Sequence, residues 1–113
     1  MDKLTNYRNI IKRILSDHVK PSEESPKSEI EDFMIADEMR DHYLLFNLGW
    51  WERKRVRNFT VYVRIVNGKF HIEHDLTETG IATELIEAGV PEQDIVLAFH
   101  APELRQYTEF AAA

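Results

Sequence analysis

The stretch "RVRNFTVYVRIVNGKFHIEHDL", residues 55–76, decides the fold. Phe59, Val61, Val63 and Ile65 fall on one side; Thr60, Tyr62 and Arg64 fall on the other. That is the period of two of a half-buried strand. Asn67-Gly68 follows, a pair suited to a tight turn because both central positions need positive φ. "KFHIEHDL" then returns, with Phe70 and Ile72 inward and His71 and Glu73 outward. The stretch reads as a β-hairpin.

Two further strands precede it. "IEDFMIAD" (30–37) ends in the polar turn "DEMRD", and "HYLLFNLGWW" (42–51) follows. Short connections between successive strands make an up-and-down meander. The strand at 42–51 does not alternate: Tyr43, Leu44, Leu45, Phe46 and Leu48 run on to Trp50 and Trp51. Both of its faces are apolar, so both need cover. Helices supply one cover. The other requires the C-terminal segment or a second molecule, and a homodimer or higher oligomer is the expectation.

Residues 3–19 predict an amphipathic helix, with Leu4, Tyr7, Ile11, Ile14, Leu15 and His18 at spacings of three and four and Asp2 as N-cap. Pro21 stops it. "KPSEESPKSE" (20–29) is polar and proline-punctuated, read as a mobile loop. "ETGIATELIEA" (78–88) predicts a second helix, capped by Thr77 or Thr79, with Ile81 and Leu85 on the core side and Gly89 then Pro91 as the stop. "PEQDIVLAF" is a turn and a short apolar segment, strand or buried coil; "APELRQYTEF" is a short third helix. The expected fold is α+β: a four-stranded antiparallel meander, with an N-terminal helix and two shorter C-terminal helices packed mainly on one face.

The chain has 113 residues and no cysteine, which suits a single domain over 1–113 and excludes disulfides and thiolate metal sites. No apolar run approaches the ~20 residues that cross a bilayer, and charges interrupt the start as a signal peptide. A soluble, cytoplasmic protein with no membrane partner is the expectation. Net charge is −6, yet residues 53–69 carry Arg53, Lys54, Arg55, Arg57, Arg64 and Lys69 and no acid. A general nucleic-acid binder has a broadly positive field; here it is local.

Chemistry-bearing patterns are sparse. "HIEHD" puts His71, Glu73 and Asp75 on one strand face with His74 opposite, and zinc wants three or four such ligands. His42 and His100 are the other candidates, but no second ligand pair sits at a recognised spacing, so a solvated polar face is preferred. A metal-dependent hydrolase is the reading this leaves behind. Carboxylates sit on helix surfaces and loops, without a pair in contrasting environments. There is no nucleophile elbow and no phosphate-cradling glycine loop. No catalytic residue, metal site or cofactor is expected.

"GWWERKRVRNF" (49–59) is the exception. Trp50 and Trp51 run into Arg53, Lys54, Arg55 and Arg57. Three readings stand: a hairpin bend with Trp50 in the core, a protein interface rich in aromatics and arginine, or a surface that contacts phosphates and stacks bases.

"MDKLTNYRNIIKRIL", "DHYLLFNLGW" and "GIATELIEAGVPEQDIVLAFHAPELRQYTEFA" together resemble the XisI-type fdxN element excision controlling factors of cyanobacteria. The resemblance covers almost the whole chain, most specifically its last segment. The family pattern differs at Trp51 and Glu109. The resemblance implies an α+β fold and a non-enzymatic accessory role in programmed DNA excision during heterocyst development. A separate recombinase performs strand exchange, and a XisH-like protein is the partner. Trp50, Trp51, Arg53, Arg55 and Arg57 are the candidate partner-binding residues. The alternative is a DNA-binding regulator using the basic-aromatic stretch 50–57; otherwise DNA contact is indirect.

Overall fold

A computed structural model describes residues 2–19 and 29–113. The elements run α1 (Lys3–His18), β1 (Glu29–Asp37), β2 (His42–Trp51), β3 (Lys54–Val66), β4 (Lys69–Asp75), α2 (Ile81–Glu87), a 3-10 turn (Glu92–Asp94), β5 (Ile95–Val96) and α3 (Pro102–Arg105). The predicted loop over 20–29 lies, up to residue 28, outside the described residues.

The first four strands form the expected meander. The sheet has a fifth member, in the order β1-β2-β3-β4-β5. Ile95 and Val96 are the apolar pair left open as strand or coil; they pair parallel to Phe70 and His71 of β4, after a crossover through α2. Ala111 continues that edge by bridging Val96. The C-terminal segment therefore lies beside β5 at the sheet edge.

One face of the sheet carries the core. Tyr43, Leu45, Val61, Val63, Ile65, Phe70 and Ile72 are buried against Tyr7, Ile10, Ile11, Ile14 and Leu15 of α1 and against Ile81 and Leu85 of α2. Each large apolar side chain buried there contributes roughly 1.5–3 kcal/mol. The helix stripe differs from the expected one at its edges. Ile10 is buried, Leu4 is exposed, and His18 sits at the rim with Nε2 2.7 Å from Glu84 Oε2.

Local chemistry sets the ends. Asp2 Oδ1 accepts the Thr5 N–H at 2.7 Å, the expected N-cap. Asn67 and Gly68 have φ of 52° and 76°, as the tight turn demands. The start of α2 is a correction. The N-cap position is Gly80, not Thr77 or Thr79, and the carboxylate of Asp75 serves the helix start from outside it, its Oδ2 accepting the Ile81 N–H at 2.7 Å. Thr77 supports the same start: its hydroxyl accepts the Gly80 N–H at 3.1 Å, and its N–H and hydroxyl both donate to Asp75 Oδ1.

Two β-bulges overturn parts of the expected face assignment. In β3, Phe46 pairs with Phe59 while Leu45 pairs with Val61, so Thr60 is the extra residue. The bulge turns Phe59 to the outer face, where its ring meets Tyr62 and His74 edge-on at centroid distances of 6.0 and 4.9 Å. In β4, Tyr62 pairs with His74 and Val63 with Ile72, which makes Glu73 the extra residue. His74 moves outward and Asp75 turns toward α2. A bulge breaks strict alternation because two residues oppose one.

Candidate functional site: the outer sheet face and the hairpin tip

With α1 on the inner face, the opposite face of β1, β2 and β3 carries no other element among the described residues. Register places its side chains in rows across the three strands. Toward the centre of the sheet, Ile35, Leu44 and Tyr62 share a row. The next is Phe33, Phe46 and Phe59, and the Phe33 and Phe46 rings lie 5.8 Å apart. Then the chemistry changes: Glu31, Leu48 and Arg57 form a row, followed by Glu29, Trp50 and Arg55. The centre strand is apolar throughout, the acids are on β1, and the bases are on β3.

The five candidate partner-binding residues are not brought onto one surface. Trp50, Arg55 and Arg57 belong to the outer face. The Arg55 guanidinium lies 5.1 Å from the Trp50 ring centroid, and its Nη1 donates to the Gly49 carbonyl at 3.4 Å. Trp51 points to the other face, paired with Lys54. Arg53 occupies the two-residue turn with Glu52, whose φ is 57°. The stretch is thus a hairpin bend, but Trp50 is not in the core: Trp50 and Trp51 are 46% and 60% exposed. The reason is that the bend projects past the helices. The inward core of β2 ends at Leu45; beyond it Asn47 donates to Asp32 and accepts from the Thr60 hydroxyl. A shallow hollow of about 350 Å³, lined by Glu29, Trp50, Trp51 and Glu52, opens at the tip. Among the described residues, none of Arg53, Lys54, Arg55 and Arg57 is held in an ion pair.

The free edge of β3 adds to this exposure. β4 spans only Val61–Val66 of its partner, so the 54–59 arm pairs with β2 alone. Such an arm has open backbone groups and is a natural contact element.

The predicted His-acid cluster is dispersed. Glu73 lies 3.6 Å from Arg64 and Asp75 serves the start of α2. His71 lies on the outer face and is held below the ordinary histidine range by burial, against the opposing charge of Glu73 and with Arg64, Arg105 and Lys69 adding to the lowering. His42 Nδ1 is 2.7 Å from the Tyr62 hydroxyl. Among the described residues, no three His, Asp or Glu side chains gather as a metal set. No described helix is long and apolar enough to cross a membrane.

The sequence profile of the XisI protein family matches residues 1–112. The chain belongs to the XisI family. Two solved structures share its fold over nearly the whole length. A XisI-like protein from Anabaena variabilis is 34% identical, with a TM-score of 0.88, covering 97% of this chain and 99% of its own. The fdxN element excision controlling factor XisI from the same organism is 42% identical, with a TM-score of 0.82, covering 99% of this chain and 100% of its own. No curated protein matches. The N-terminal helix, the β2 run and the C-terminal run that carried the resemblance are thus parts of a XisI fold.

Proposed function

We propose that this chain is a non-enzymatic accessory factor in the controlled excision of a DNA element, and that it acts by docking to a XisH-like protein. Family membership and the 42% identical excision controlling factor support the role in excision control. The observation that carries the contact mechanism is the projecting tip: two exposed indoles beside a group of cations with no ion-pair partner among the described residues. Aromatic and arginine side chains supply most binding energy at protein interfaces. Strand exchange itself falls to a recombinase.

Co-purification with a XisH-like protein tests the proposal. Trp51→Ala combined with Arg53→Glu should abolish capture while the chain remains folded. Capture at wild-type level would remove the tip from the contact. The DNA-binding reading differs in its salt response. Direct binding through the tip cations would give a duplex shift that weakens steeply as salt rises, and it would survive without the partner.

A further inference from the structure

We infer that the outer sheet face is a self-complementary dimer surface, occupied by a second copy of this chain related by a two-fold axis running close to β2. The register carries the inference. Rotation by half a turn about an axis along β2, in the plane of contact, lays β1 of one copy over β3 of the other at the same height. β2 then lies over β2. Aligned sheets pack about 10 Å apart face to face, a gap that two long side chains bridge.

Under that operation every row finds its complement. Glu29 comes over Arg55 of the second copy and Glu31 over Arg57; both contacts occur twice because the interface is isologous. Phe33 comes over Phe59, and Ile35 over Tyr62. Leu44, Phe46 and Leu48, on the axis, meet their own copies. Acids on one flanking strand, bases on the other and an apolar strand between them is the pattern a two-fold requires. It is not the pattern of a solvated face, where the signs would be mixed along each strand. The β3 bulge contributes by bringing Phe59 out to face Phe33. This explains why β2 is apolar on both sides. It takes Trp50, Arg55 and Arg57 into the dimer contact and leaves Trp51, Arg53 and Lys54 at the tip for a partner, and it is tested without any partner.

The experiment is sedimentation of the purified chain with charge-reversed variants, each checked by circular dichroism. The wild type should be a dimer. Arg55→Glu with Arg57→Glu makes both flanking strands acidic and should yield monomer. Glu29→Arg with Glu31→Arg makes both basic and should also yield monomer. Mixed one to one, the two variants should restore a dimer containing one of each. A monomeric wild type, variants that remain dimeric, or a mixture that stays monomeric would each overturn the inference. If a variant fails to fold, the axis offers a second readout, since the chain has no cysteine. Leu48→Cys should be joined to its own copy by a short bis-maleimide, whereas Met39→Cys, far out in the β1–β2 turn, should not. Equal cross-linking at the two positions would also overturn it.

Discussion

The Arg8 guanidinium grips the Asp41 carboxylate with two hydrogen bonds, Nε to Oδ1 at 2.8 Å and Nη to Oδ2 at 3.1 Å. The pair joins α1 to the turn between β1 and β2. Asp41 is itself locked in place: its φ is 58°, the Tyr43 hydroxyl donates to Oδ1 at 2.9 Å, and its carbonyl accepts the Ile65 N–H at 3.1 Å. A paired, planar guanidinium fixes direction as well as charge. Arg8→Lys keeps the charge but loses the fork, and should lower the urea midpoint. Arg8→Ala should lower it further, with an unchanged slope.

The same pair sets an acid limit. The hydrogen bonds from Arg8 hold the Asp41 carboxyl below the usual aspartate range, outweighing its partial burial. The unfolded chain therefore takes up this proton first. The stability from the pair is fully present above about pH 4, the ordinary aspartate value, and is lost as pH falls from there through the lowered folded pKa. The stability difference between wild type and Asp41→Asn should be largest near neutral pH and shrink on acidification. A constant difference across pH 7 to 2 would contradict the assignment.

At Gly49 the backbone of β1 leaves no room for a side chain on β2. A side-chain carbon there would fall 2.0 Å from the Glu29 carbonyl oxygen and 2.7 Å from Ile30 Cα, at a φ of 157°. Backbone cannot yield as a flexible side chain does. Gly49→Ala should cost about 1–3 kcal/mol in urea unfolding, the usual penalty of overpacking. It should also speed amide exchange selectively around residues 29–31, and because Glu29 and Glu31 lie there, it should weaken self-association.

Asp75 organises the passage from sheet to helix. It accepts the Thr77 N–H, the Thr77 hydroxyl and the Ile81 N–H at 2.9, 2.6 and 2.7 Å. Asp75→Ala leaves the Ile81 N–H at the start of α2, and the Thr77 N–H and hydroxyl, without their acceptor and should cost about 1–2 kcal/mol, the upper part of the capping range. Asn, which keeps one acceptor oxygen, should recover part of it. Denaturation in urea distinguishes the two.

Much of this molecule was decided by the sequence alone. Period-two alternation in β3, the Asn67-Gly68 turn, the α1 stripe and the Asp2 cap are all set by neighbours a few residues away, so the meander and its helices were legible before any coordinates. The two-sided apolar character of β2 was legible too, because it needs only a count of side chains on each face. Non-local contacts decided the rest. Thr60 and Glu73 look like ordinary strand residues, yet each is the extra member of a bulge, which depends on how two strands end up in register. That choice sent Phe59 and His74 outward, turned Asp75 toward the start of α2 and dispersed the His-acid cluster. Ile95 and Val96 are too few to announce a strand; they became one only because β4 offered an open edge. Trp50 and Trp51 point to opposite faces because adjacent strand positions must, and they are exposed because the core of β2 stops at Leu45. The sorting of acids onto β1 and bases onto β3 likewise arises only when three separated segments are laid side by side, since charge patterning across a sheet is a property of register.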